Sequence, residues 1–261
     1  MAGALQSGQL AWITGASSGI GEALSFALAD RGLRLVLSAR REHELERVRE
    51  NLPRPDEAIV VPLDMTQPDQ FAEAAARVHR YGGIDWMVHN AGRSQRSLAL
   101  DTAPENERAL IETNYFGPVG LTRAVLPEMI ARGCGQIVVI SSVLGHFSIP
   151  RRSSYCASKH ALHGYFNSLR SEIEESSVGV TMICPGYVAT PLAEAAEWGP
   201  DTPRNDESND RGLSPEECAV EIVRAMDQRK LEAHIGGKEK LGITLSTLFP
   251  KRWARYINKM I

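Results

Sequence analysis

The sequence has little cysteine: four in 261 residues (Cys134, Cys156, Cys184, Cys218), with no Cys-x-x-Cys pair. That argues against a disulfide framework and makes reduced thiols, and hence a cytoplasmic location, the expectation. No apolar run approaches the roughly 18 residues of a membrane-spanning helix. The first nine residues hold neither a basic stretch nor an apolar core, so no secretory signal is expected there. Positive charge is not in excess: 29 Lys and Arg against 32 Asp and Glu give −3. No nucleic-acid partner held by bulk charge is therefore expected. His160 and His163 fall on one helix, but no third ligand is apparent in the sequence, so no metal is expected. Internal repeats and linkers are absent as well. What remains is an ordinary globular composition, 43% apolar and 23% charged. Its length suits one large α/β domain spanning 1–261.

Apolar runs at 10–14, 33–39, 58–63, 84–88, 137–140 and 180–184 read as buried strands, with a seventh possible at 231–235. Helical spacing lies between them, including one long stretch over 105–131 that contains Asn114. Strands alternating with helices predict a Rossmann-type, doubly wound parallel sheet in three layers. Ligands in such sheets bind beyond the C-terminal strand ends. Gly15, Asp64, Asn90, Ser142 and Pro185 all fall at those ends.

The first strand runs into Thr14-Gly15-Ala16-Ser17-Ser18-Gly19-Ile20-Gly21 and then a helix. Glycines at such a junction let the backbone approach a pyrophosphate, and the helix start offers N–H donors. A tight turn without ligand is the plainer alternative. Where NAD-binding folds place a carboxylate for the ribose 2′-hydroxyl, this chain has Ser38-Ala39-Arg40-Arg41. Two guanidiniums suit a 2′-phosphate, hence NADP(H) over NAD(H), or else they mark a solvated helix start. Tyr155 and Lys159 stand four apart on one helix face. An ammonium beside a phenol stabilises the phenolate, which suits proton exchange with a carbonyl or an alcohol. The pair is also common on solvated faces.

Taken in order, the glycine turn, Asn90-Ala91-Gly92, Asn114, Ser142, Tyr155-x-x-x-Lys159 and Pro185-Gly186 resemble the short-chain dehydrogenase/reductase family over nearly the whole chain. The stretches 94–98 and 155–162 are similar to a branch of steroid- and retinoid-type reductases with soluble bacterial relatives. His89 stands where that family usually has Asn, bordering the cofactor.

The resemblance implies an NADP(H)-dependent oxidoreductase interconverting an alcohol and a ketone or aldehyde, with a small, lipophilic substrate. Tyr155 would be the general acid/base and Lys159 would lower its pKa. Ser142 would bind the substrate oxygen, and Asn114 would hold a water that relays protons. Gly15, Ser17, Ser18, Gly19, Ile20, Gly21, Arg40, Arg41, Asp64, Asn90, Ala91, Gly92, Pro185, Gly186, Val188 and Thr190 would surround the cofactor with Tyr155 and Lys159. A homodimer or homotetramer is implied, pairing the helices at 105–131 and 155–176.

Two other functions compete. One is a non-catalytic NADP(H)-binding regulator; the other is a sugar-nucleotide epimerase, for which the 75 or so residues after Gly186 are too few. The region 187–213 reads as a substrate loop, with a lid candidate at 194–212. The segment 238–261 reads as two apolar helical faces split at Pro250. These would cover the cleft or a partner subunit; a basic helix on an anionic membrane surface is the alternative.

Overall fold

The computed structural model describes residues 5–192, 196–199 and 212–260. In chain order the first half runs β1 (Leu10–Thr14), α1 (Gly19–Asp30), β2 (Arg34–Ser38), α2 (Glu42–Glu50), β3 (Ala58–Val60), α3 (Phe71–Tyr81), β4 (Trp86–His89), β5 (Gln95–Arg96) and α4 (Pro104–Ile111). After a π-helical turn at Glu112–Phe116 come α5 (Gly117–Arg132), β6 (Gly135–Ile140), α6 (Ser153–Glu172), β7 (Val178–Pro185) and β8 (Glu197–Trp198). The chain closes with α7 (Pro215–Asp227), β9 (Glu232–Ile235), α8 (Leu241–Leu248) and α9 (Pro250–Ile257).

Seven strands among the described residues form one parallel sheet, β3-β2-β1-β4-β6-β7-β9. β1 is apolar throughout because both its faces are covered. Ala11 and Ile13 meet Leu24 and Leu28 of α1, Leu45 of α2, and Ile222 and Met226 of α7 on one side. Leu10 and Trp12 face the other side, where Phe71, Leu121, Val125, Leu162 and Phe166 pack. The strand order turns outward in both directions between β1 and β4, and a crevice opens at such a switch point.

Three local expectations are revised, and one pairing is new. β3 is shorter than 58–63 because Pro62 has no N–H to give the ladder; Val61 and Leu63 still donate to Leu37 and Ala39 carbonyls at 3.0 Å. The helix over 105–131 is interrupted by the π turn, which falls on Asn114. Pro250 opens α9 rather than only stopping a helix, since its missing N–H costs nothing at the first position. Two short strands, β5 and β8, pair in parallel outside the main sheet. The lid candidate at 194–212 lies outside the described residues except for 196–199 and 212.

Candidate active site

The rim of the sheet carries a cleft of about 940 Å³. At one end, Gly15 turns the chain out of β1 with φ +67°, and a Cβ there would lie 2.8 Å from Ala91 Cα. Only glycine fits that left-handed, crowded position. Asn90 ties the turn down by donating from Nδ2 to the carbonyls of Thr14 and Gly15, 3.1 Å each. Thr14 Oγ1 in turn accepts from the amides of Asn90 and Ala91 at 3.1 and 3.2 Å. Ser18, ahead of α1, makes no side-chain cap, so the amides of the first turn remain available to an anion in the cleft. Arg40 and Arg41, both exposed, line the cleft where β2 ends. Asp64 lines it past β3; its Oδ1 accepts from the Thr66 amide and hydroxyl at 2.9 and 2.8 Å.

At the middle of the cleft, α6 presents Tyr155 and Lys159. The first turn of α6 has no cap from its own Arg152. Gln95 Oε1 substitutes, accepting from the amides of Ser154 (3.0 Å) and Tyr155 (3.3 Å). Gln95 itself is fully buried, its amide donating to Thr102 Oγ1 at 2.6 Å. The Tyr155 phenol lies beside Ser142, whose Oγ accepts from the Leu144 amide at 3.1 Å. Lys159 Nζ donates to the Ile140 carbonyl at 2.9 Å and stands 5.7 Å from the Tyr155 ring centre. Burial pulls Lys159 down to about 8.

The pKa of Tyr155 is not lowered as the sequence suggests. Burial raises it, and the opposing pulls come from Ser142 and Arg152. Lys159 donates to the Ile140 carbonyl and not to the phenol oxygen. The phenol therefore stays protonated across neutral pH.

The far end of the cleft is apolar. Leu144, Phe147 and Ile149 come from the loop after β6, and Leu241, Leu245, Trp253 and Ile257 come from α8 and α9. Trp253 stands edge-on to Phe147, ring centres 5.1 Å apart. Arg152 also lines the cleft, donating to Ser94 Oγ (2.9 Å) and Gln95 O (2.8 Å). Gln95, Arg152, Phe147 and Ile149 were not among the expected site residues. The 94–98 stretch was visible as a family mark, but nothing in it signals a buried helix cap.

The cleft gathers the expected residues except Gly21 and Asn114. Gly21 lies behind the turn, where a Cβ would collide with the Gly15 carbonyl. Buried Asn114 braces the floor: Nδ2 donates to Ser158 Oγ and Arg93 O at 2.9 and 3.0 Å, and Oδ1 accepts from the Arg93 amide at 2.8 Å. Two readings are corrected. His89 does not border the cleft; its Nε2 pairs with Thr122 Oγ1 at 2.7 Å in the core and its ring meets Phe166. His163 does have companions, although not His160: His146, Cys184 and Glu232 surround it.

A family model described as short chain dehydrogenase matches residues 9–199. The human dehydrogenase/reductase SDR family member 7 is 42% identical over 260 residues, covering 95% of this chain and 76% of that protein. The solved structure of a short chain dehydrogenase/reductase from Burkholderia phymatum in complex with NAD is similar at TM-score 0.80 and 26% identity, over 87% of this chain and 89% of that one. That of a short chain dehydrogenase from Burkholderia cenocepacia J2315 in complex with NADP is similar at TM-score 0.80 and 25% identity, over 96% and 98%.

Proposed function

The chain belongs to the short-chain dehydrogenase/reductase family, oxidoreductases acting on CH–OH/C=O pairs, and we propose that it reduces a lipophilic ketone or aldehyde with NADPH. The observation that carries this reading is the placement of Tyr155, beside Ser142, between a glycine cradle and an apolar pocket. The cradle fits a dinucleotide: Gly15 leaves room against Ala91 that any side chain would fill, and the start of α1 keeps uncapped amides. Relatives of this fold hold NAD in one case and NADP in the other, so cofactor choice rests on the residues after β2. Arg40 and Arg41 there support a 2′-phosphate, with no carboxylate before Glu42 to compete.

When bound, NADPH supplies the hydride. Ser142 hydrogen-bonds the substrate carbonyl oxygen and steadies charge developing on it. Tyr155, kept protonated by burial, donates its proton to the same oxygen. Lys159, charged below about pH 8, offsets the phenolate left behind. Asn114 and the π turn around it hold Ser158 and Arg93 beneath that proton path. The apolar lining from Phe147 to Trp253 supports an uncharged, hydrophobic substrate body. We place the chain in the cytoplasm as one dinucleotide-binding domain. It would assemble through α4–α5 and α6 into a homodimer or homotetramer, with Phe116 and Ile130 left exposed on one such surface.

The test is oxidation of NADPH and of NADH with a panel of ketones and aldehydes of rising hydrophobicity. Turnover should favour NADPH and rise with apolar size. A protein that binds NADPH and turns over no carbonyl would contradict the proposal.

A further inference from the structure

Beyond the catalytic cleft, four side chains from four parts of the chain meet where β7 pairs with the start of β9. His146 follows the loop after β6, His163 lies on α6 one turn past Lys159, Cys184 is on β7 and Glu232 opens β9. Each offers one ligand-type atom, and those atoms lie within 4.8 Å of one another. Cys184 Sγ is 3.8 Å from His146 Nε2 and 3.7 Å from His163 Nε2. Glu232 spans the two rings, Oε1 to His146 Nε2 at 3.0 Å and Oε2 to His163 Nδ1 at 3.6 Å. Around zinc, bond lengths of about 2.3 Å to sulfur and 2.1 Å to nitrogen set tetrahedral S···N edges near about 3.6 Å. The observed sulfur–nitrogen spacings match that edge.

We propose that His146, His163, Cys184 and Glu232 bind a divalent ion of the zinc class, which ties the loop after β6 to α6, β7 and β9. Two imidazoles, one sulfur and one carboxylate suit a borderline-soft, tetrahedral ion and not magnesium or calcium. One thiolate and one carboxylate balance the dication, so the filled site is neutral. An outer partner holds Glu232: His234 Nε2 reaches its Oε1 at 2.6 Å. The ion would displace the Ser141 hydroxyl, which stands 2.9 Å from His163 Nε2 in its absence. A surface depression containing Glu232 and His234 gives an ion a way in. Because Ser141 neighbours Ser142, the ion would steady the active-site loop without touching substrate.

Cobalt(II) is the probe, added to full-length protein stripped with chelator. One equivalent per chain should give the thiolate-to-cobalt charge-transfer band and the intense visible bands of a tetrahedral site. Cys184→Ala should abolish the charge-transfer band. His146→Ala, at a partly exposed loop position, should weaken cobalt and zinc at least about tenfold. His160→Ala, on α6 but outside the cluster, should behave as wild type. The proposal is overturned if no saturable signal appears, if the charge-transfer band survives Cys184→Ala, or if His146→Ala and His160→Ala bind alike. Should Cys184→Ala fail to fold, the His146→Ala and His160→Ala pair decides alone.

Discussion

The two ends of the cleft are built differently. The end at β1, β2 and β4 is made of backbone: a glycine turn, strand ends and helix amides, locked by Asn90 and Thr14. The end toward Trp253 is made of side chains on loops and on two short C-terminal helices. Backbone geometry admits few sequences, whereas an apolar wall admits any residues that fill it. A shared cofactor can therefore be held by a fixed pattern while the substrate pocket varies around it. Tyr155 stands at the junction, its helix capped from the substrate side by Gln95.

Substitutions should separate the two ends. Gly15→Ala puts a Cβ 2.8 Å from Ala91 Cα at a positive φ, and NADPH affinity should fall by at least about tenfold. Fluorescence titration would show it, with the KM for the carbonyl substrate unmoved. If substrate KM changes equally, the two ends are not independent. Arg40→Asp replaces attraction to a 2′-phosphate by repulsion, and the NADPH-to-NADH affinity ratio should drop about tenfold. An unchanged ratio would make Arg40 a surface residue only. Trp253→Ala works from the other end. Losing the indole over Phe147 should raise substrate KM several-fold, on the order of 1–2 kcal/mol of apolar contact, and leave NADPH binding alone. A matching loss of NADPH affinity would break the comparison.

The smallest kinetic effect belongs to His89, which lines neither end. Burial holds it neutral down to about pH 3 against an ordinary 6.5. The unfolded chain takes up a proton below about 6.5 and the folded chain does not. Stability therefore falls as pH falls through that window, by about 1.4 kcal/mol per pH unit for one proton. His89→Asn should flatten the slope by that amount in denaturant melts and change neither KM nor NADPH affinity. An equal slope would mean that His89 titrates normally in the fold.

The same contrast governs what the sequence reveals. β1, the glycine turn and the alternation of strands with helices are legible because apolar runs, glycine positions and helix spacing are local signals. Gln95 is not, since its value lies in reaching the amides of Ser154 and Tyr155 some 60 positions on. His146, His163, Cys184 and Glu232 follow no spacing rule and meet only because β7 and β9 are neighbours. The Tyr155 shift runs against the spacing argument for a related reason. Helical spacing puts Lys159 on the right face but says nothing of the Ile140 carbonyl that takes its ammonium.

The central claim is that Tyr155 delivers the proton between two separately built ends of one cleft. The direct measurement is Tyr155→Phe, comparing NADPH affinity by fluorescence with steady-state carbonyl turnover. The phenyl ring keeps the packing and removes only the acid. Turnover should fall by at least about 10²-fold while NADPH affinity stays at the wild-type value. A variant that retains wild-type turnover would contradict the account.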